Sequence, residues 1–265
     1  MEEPAEYEIL INGKPGPSPA ATWWRDISFI KTSIDDSIVE GRNVILLRRN
    51  FLPTAVREAL MKAATGDEAR WLKYGVEFES IYIVGDFGVA CDTEITDAPR
   101  RAVDAPGPFA LVDDVAVSKT GDLTSQGMPF FAGAVGLSQT FRLPPDFKGK
   151  GKKVYLEMDR PDAIVTSVTV NGRNAGKLVW QPFRLDVTKL VRPGENHIEI
   201  ELTGSCRNLL GPHHRAVGEL HTVTSDSFST GRTWTDPPDA EHPWVDRYSL
   251  ARFGLASAPK LRVYQ

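Results

Sequence analysis

A five-residue pattern occurs twice in this chain, and it restricts the fold more than any other feature. Ile9-Leu10-Ile11-Asn12-Gly13 resembles Val168-Thr169-Val170-Asn171-Gly172. After each Asn-Gly come a tryptophan region, a segment with an aspartate, a short turn, and a strand opened by Gly-x-Asn. In the first copy these are Trp23-Trp24 and then I-D-D-S-I-V-E-G-R-N-V-I-L-L (34–47). In the second they are Trp180 and then L-D-V-T-K-L-V-R-P-G-E-N-H-I-E-I (185–200). Gly41 and Gly194 lie 153 residues apart, and Asp35 and Asp186 lie 151 apart, so only a small insertion separates the copies. A repeat this long implies duplication of a whole domain rather than a short solenoid unit. Asn-Gly supplies the positive φ that a tight hairpin turn requires. The aspartate can cap nearby backbone N–H groups where the chain hooks around a sheet edge.

The rest of the chain reads as short strands between turns. Apolar or alternating runs lie at 7–13, 43–47, 79–85, 139–143, 153–158, 167–172, 183–187 and 197–202. The 22 glycines and 19 prolines punctuate them, as an all-β sandwich requires. One stretch differs: T-A-V-R-E-A-L-M-K-A-A (54–64) follows Pro53 with helical apolar spacing, which predicts a helix of about three turns. Two strands precede the second Asn-Gly, near 135–143 and 153–158, but only residues 1–6 precede the first. The first sandwich therefore lacks its opening strands. Either the chain is a piece of a longer protein, or the run at 79–85 fills the gap.

The expected organisation is a first β-sandwich over 1–97 and a second over 118–265. The Pro- and charge-rich 98–117 between them is either a linker or an edge segment. With 265 residues, two domains of ordinary size can each bury a core without staples. The 31 basic and 35 acidic residues are mixed, with no basic stripe for nucleic acid and no polybasic helix for a membrane surface. Cys91 and Cys206 read as two lone thiols rather than a bridge. M-E-E-P-A-E-Y has no apolar core of a signal peptide, and no apolar run approaches the ~20 residues of a spanning helix. If Met1 is the native start, the chain is cytosolic.

Five motifs stand in order in the second half: Q-G-M-P-F-F-A-G (126–133), V-T-V-N-G-R-N-A-G (168–176), W-Q-P-F-R-L-D-V-T (180–188), P-G-E-N-H-I (193–198) and R-N-L-L-G-P-H-H (207–214). With the closing Y-S-L-A-R-F-G-L (248–255), their order resembles the galactose-binding-like jelly-roll domains of glycoside hydrolases. The likeness is to the sugar-binding domain of glycoside hydrolase family 2 and to similar domains of large bacterial α-L-rhamnosidase-like proteins. It covers 118–265 well and 7–95 more weakly. The resemblance implies two jelly-roll sandwiches in a non-catalytic, accessory region, because the family's catalytic carboxylates lie in a separate barrel. An (α/β)8 barrel alone needs ~250 residues of alternating strand and helix, and this chain has no room for one. Carbohydrate as ligand, a catalytic domain of the same parent protein as partner, and a structural calcium ion are what the resemblance allows. No D-x-D-x-D loop supports the calcium.

Chemistry-bearing residues cluster in the second half. His213 and His214 are adjacent, so in an extended segment they point to opposite faces and are poorly placed to share a metal. Their spacing to Cys206, His221 and His242 matches no standard zinc pattern. No nucleophile elbow accompanies them. Two readings remain: the imidazoles bond the loop backbone, or they face a sugar. Trp180, Gln181, Trp234 and Trp244 lie in loop-like contexts near Arg207 and Asn208. An aromatic platform with a few convergent polar groups suits a sugar, whose C–H face stacks while its hydroxyls bond. The competing reading packs these tryptophans on the core or against a catalytic domain. Three functions follow: a carbohydrate-binding accessory region, a scaffold that docks a catalytic domain, or a stand-alone hydrolase with an unmarked carboxylate pair.

Overall fold

Both Asn-Gly pairs form hairpin turns in the computed structural model, which describes residues 1–50, 52–64, 81–116, 119–147, 151–230, 237 and 244–264. Asn12 and Asn171 each have φ 51°, and Gly13 and Gly172 follow at 80° and 73°. That left-handed pair matches the twist of the flanking strands. The chain is all-β, with antiparallel sheets throughout, and divides into Met1–Gly85 and Asp86–Gln265.

The first unit carries β1 (Glu8–Ile11), β2 (Lys14–Pro15), β3 (Trp23–Trp24), β4 (Asp26–Ile30) and β5 (Ile45–Arg48). β1 pairs with β2 and β5, and β3 pairs with β4. The helix α1 spans Thr54–Ala63 behind Pro53, where the apolar spacing predicts it. The run at 79–85 behaves differently from its strand-like composition. Residues 79–80 lie outside the described residues, and 81–84 form no strand. Ile81, Ile83 and Val84 are exposed, so no sheet face rewards the extended ladder that their β-branching favours.

The second unit opens with β6 (Gly88–Cys91), β7 (Thr96–Ala98), β8 (Ala102–Ala105), β9 (Phe109–Val112) and β10 (Gly121–Asp122). β11 (Ala134–Leu143), β12 (Lys153–Glu157), β13 (Val165–Val170), β14 (Arg173–Leu178), β15 (Arg184–Asp186) and β16 (Gly194–Thr203) follow. After the short helix α2 (Arg207–Leu210) come β17 (Tyr248–Ala251), β18 (Gly254–Leu255) and β19 (Lys260–Tyr264). A four-stranded sheet, β11-β16-β13-β14, and a three-stranded sheet, β15-β12-β19, pack as a sandwich around one core. Alternation decides which side chains enter it. Asn196, Ile198, Ile200 and Leu202 of β16 point inward, while Glu195, Glu199 and Glu201 face water. Val168 and Val170 of β13 meet Val154 and Leu156 of β12 in the same core. Residues 98–116 contain the whole of β8, the central strand of the β17-β8-β7 sheet, and β9; Ala102, Val103 and Ala105 are buried there.

The repeat reappears as hydrogen bonds. Asn171 Nδ2 donates to Asn196 Oδ1 at 2.9 Å and to Leu190 O at 2.8 Å, while Asn171 Oδ1 accepts from His197 N. In the first unit Asn12 Nδ2 donates to Asn43 Oδ1 at 2.9 Å and to Ser37 O at 3.2 Å, and Asn12 Oδ1 accepts from Val44 N. Asn43 and Asn196 then close their own turns through the backbone of Val39 and Gly41, and of Arg192 and Gly194. These partners set the register of the two segments and correct the pairing of Asp35 with Asp186. Ser37 matches Leu190, so Ser33 matches Asp186 and Asp35 matches Thr188. Ser33 Oγ donates to Asp35 at 2.8 Å, and Thr188 Oγ1 donates to Asp186 at 2.5 Å. The same hydroxyl–carboxylate pair thus spans the hook in both, with its ends exchanged.

Burial separates the two copies. Ile198 is 8% exposed, whereas Ile45 at the matching position is 38% exposed. In the second unit the three-stranded sheet covers that face. Among the described residues of the first unit, β5 pairs with β1 alone.

Candidate functional site

Antiparallel pairing brings distant segments to one end of the second unit's sandwich. Val165 pairs with Thr203, so the residues before β13 and those after β16 emerge side by side. Asn208, in α2, is buried and ties this end to β17: its Nδ2 donates to Ala251 O and its Oδ1 accepts from Ala251 N, both at 2.8 Å. The side chain acts as an extra rung of sheet, satisfying an edge that would otherwise be orphaned.

Gly211, at φ 85°, turns the chain out of α2 toward the two histidines. They lie outside any strand, and their rings stand edge to face with centroids 6.4 Å apart rather than on opposite faces. His213 is turned inward, its Nε2 2.7 Å from Asn208 O and its ring edge-on to Phe130. His214 stacks on Trp244 with centroids 4.8 Å apart, and its Nδ1 lies 3.1 Å from Val245 O. Tyr248 touches both rings. Each imidazole therefore bonds backbone, His213 that of α2 and His214 that of the segment before β17. Among the described residues, no three of His, Cys, Asp or Glu gather closely enough to hold a metal ion. Cys91 and Cys206 are free thiols.

Burial pushes the His213 pKa below its usual value, and the nearby Arg207 and His214 push the same way, against the hydrogen bond to Asn208 O. A folded-state pKa below the unfolded one means that the unfolded chain binds more protons. The contribution of His213 to stability is full above the unfolded pKa, about 6.5, and declines as pH falls through it toward the folded value. The urea midpoint of the second unit is expected to drop on acidification from pH 7.5 to 5.5, and to drop less in His213→Gln. An equal drop in the variant would remove His213 as the cause.

On the other side of Asn208 lies a cavity of about 170 Å³. Phe131 and Phe253, stacked with centroids 5.8 Å apart, form its apolar wall. Arg160, Asp162, Ser205 and Arg252 supply its polar groups. Asp162 is paired with Arg101, and Arg252 with the largely exposed Asp97. Ser205 Oγ accepts from Arg207 N, which leaves its hydroxyl proton available. Arg160 is exposed and enters no ion pair among the described residues. The cavity thus combines donors, an acceptor and an aromatic wall.

The residues expected from sequence are distributed unevenly about these features. Asn208 lines the cavity; His213, His214 and Trp244 form the neighbouring aromatic cluster. Arg207 is half-buried and forms an ion pair with Glu219 at 3.0 Å. Trp180 and Gln181 are exposed where the chain crosses from β14 to β15, and neither bonds the histidine loop. Trp234 lies outside the described residues, as does His242. Sequence reasoning missed Arg160, Asp162 and Ser205. The available signal was indirect: D-R-P-D precedes one strand of an antiparallel pair, and T-G-S-C follows the other.

No family model matches the sequence. Over 86 residues the chain is 33% identical to a putative β-glucuronidase of Formosa agariphila, a match that covers 32% of this chain and 7% of that protein. Among solved structures, a rhamnosidase from Novosphingobium sp. PP1Y is similar at 20% identity with a TM-score of 0.36, over 72% of this chain and 16% of that one. A β-D-glucuronidase from Dictyoglomus thermophilum is similar at 18% identity with a TM-score of 0.32, over 68% of this chain and 26% of that one. The chain matches only a small part of the length of these proteins.

Proposed function

We propose that this chain is a carbohydrate-binding accessory region of a glycoside hydrolase-like protein, and that it breaks no bond itself. The cavity beside Asn208 carries the reading. A sugar ring needs an apolar face, hydrogen-bond donors and a carboxylate acceptor, and the cavity lines up Phe131 and Phe253, Arg160 and Ser205, and Asp162. Its volume is below that of pockets for drug-sized ligands, which suits one ring. Similarity to a small part of a putative β-glucuronidase supports an accessory place beside chemistry done elsewhere. The shared asparagine network supports descent of both units from one duplicated jelly-roll domain.

Binding of the purified chain to monosaccharides, followed by saturation-transfer NMR and calorimetry, tests the reading. Arg160→Ala is expected to weaken the ligand about tenfold, the loss of one charge-assisted hydrogen bond. Absence of binding to neutral hexoses, 6-deoxyhexoses and hexuronates alike would sink it.

A scaffold that docks a catalytic domain is the second reading, and the first unit favours it. Leu10 and Leu46 pair on the outer face of its sheet, where the second unit has Thr169 and Glu199. Leu46, Val39 and Val44 are all exposed. Leu10 and Leu46 lie beside the exposed Glu8–Arg48 ion pair on the same face, an apolar patch with a charged border of the kind a partner covers.

A further inference from the structure

We infer that the cavity beside Asn208 takes an anionic sugar, a ring bearing a carboxylate or a sulfate ester, and that the strained turn between β7 and β8 sets this preference. The inference rests on the carbohydrate reading of the cavity and adds the charge of the ligand.

The turn is unusual for its residues. Ala102 N donates to Pro99 O and closes it around Arg100 and Arg101, at φ 55° and 63°. Asn-Gly adopts two consecutive left-handed residues with little strain, and this chain uses Asn12-Gly13 and Asn171-Gly172 for that purpose elsewhere. Two arginines hold the same conformation here against the clash of Cβ with the backbone. Such strain persists where the surroundings over-determine it, most often beside a site. Gly218 packs on the turn so closely that a Cβ there would lie 2.0 Å from Pro99 O. The turn is also fastened to two residues of the cavity wall, Asp162 and Arg252. The Arg101 guanidinium donates to Asp162 Oδ1, and Arg101 O accepts from Arg252 N at 3.4 Å. Arg252 donates in turn to Asp97 of β7.

These bonds decide the charge of the cavity. Its wall has one carboxylate, Asp162, and two guanidinium groups, Arg160 and Arg252. Arg101 neutralises Asp162 and occupies one of its oxygens. The Asp97 side chain is 85% exposed, and a partner so well solvated cancels little of the charge on Arg252. Arg160 enters no ion pair among the described residues. The adjacent Asp159 accepts from Ser257 Oγ at 2.7 Å and does not line the cavity. Positive charge is therefore in surplus beside the apolar wall of Phe131 and Phe253. A guanidinium fork matches the paired oxygens of a carboxylate or a sulfate, whereas a neutral ring offers it only hydroxyls. Without Arg101, Asp162 would stand as an unpaired anion beside the ligand and repel it.

Calorimetry of the full chain at low salt tests this with methyl glycosides of a hexuronate, of the neutral hexose of the same ring stereochemistry, and of that hexose as its 6-sulfate. The hexuronate or the 6-sulfate is expected to bind about tenfold more tightly than the neutral hexose, and the tighter of the two identifies the anion. In Arg160→Gln that ratio is expected to fall toward one. Arg101→Gln is expected to lower it about threefold, through repulsion by the uncovered Asp162. Arg100→Asn with Arg101→Gly is expected to lower it equally while holding or raising the urea midpoint of the second unit, a combination that a merely structural turn would not give. A neutral hexose bound as tightly as either anion overturns the inference and leaves the cavity as a site for neutral sugars. A ratio untouched by Arg160→Gln or by Arg101→Gln overturns it as well, the first by placing the anion elsewhere and the second by freeing the turn of this role. Binding by no sugar removes the carbohydrate reading too.

Discussion

Asn196→Ala is expected to destabilise the second unit by about 3 kcal/mol, whereas Asn43→Ala costs the first unit about 1 kcal/mol or less. The two side chains make matching sets of bonds. Asn196 donates to Arg192 O and Gly194 O, and accepts from Arg192 N and Asn171 Nδ2. Asn43 donates to Val39 O and Gly41 O, and accepts from Val39 N and Asn12 Nδ2. What differs is water. Asn196 is buried, so its partners are stranded by truncation and bear their full desolvation cost. The bonds of Asn43 are exposed, and water replaces the lost groups. Hydrogen exchange of amides in β13 and β1 reads the two units separately. Equal losses would mean that turn geometry, not burial, sets the value of this network.

Leu202→Ala is expected to cost the second unit about 3–4 kcal/mol, against less than about 1 kcal/mol for Leu46→Ala in the first. Leu202 has no exposed surface, lies in the strand paired with both β11 and β13, and belongs to the sandwich core. Truncation removes its transfer energy and leaves a cavity that two flanking strands resist closing. Leu46 is already 42% exposed, so little burial is lost. The docking reading makes an added demand on this pair. If a catalytic domain covers the first unit, Leu46→Ala costs more with that domain present than without it. An unchanged cost in the parent protein would count against docking there. Denaturant midpoints of the isolated chain and of the parent protein give the comparison.

Much of the architecture was legible because its signals are local. Asn-Gly demands positive φ, alternation in H-I-E-I-E-L selects one inward face, and Pro53 before an apolar helical spacing starts α1. The run at 79–85 had equal β-propensity and formed no strand over 81–84, since propensity without a partner sheet decides little. The Asp35–Asp186 pairing failed for a related reason. Residue identity suggested it, but the carbonyls that accept from Asn12 and Asn171 set the register two residues away.

The site divided along the same line. Strand geometry predicts that adjacent histidines face apart, but His213 and His214 lie outside any strand and their rings stand edge to face. Which of them met a neighbour, and which neighbour, depended on Phe130, Trp244 and Tyr248, residues far apart along the chain. Arg160 and Ser205 are 45 residues apart in the sequence and line one cavity because β13 and β16 run antiparallel. The sequence by itself determined an all-β chain, its two Asn-Gly hooks and the inward faces of its strands, since each follows from the sterics and polarity of a few consecutive residues. The tertiary structure alone decided which asparagine is buried and where the cavity opens, because those depend on which strands pair and where each sheet stops covering the other.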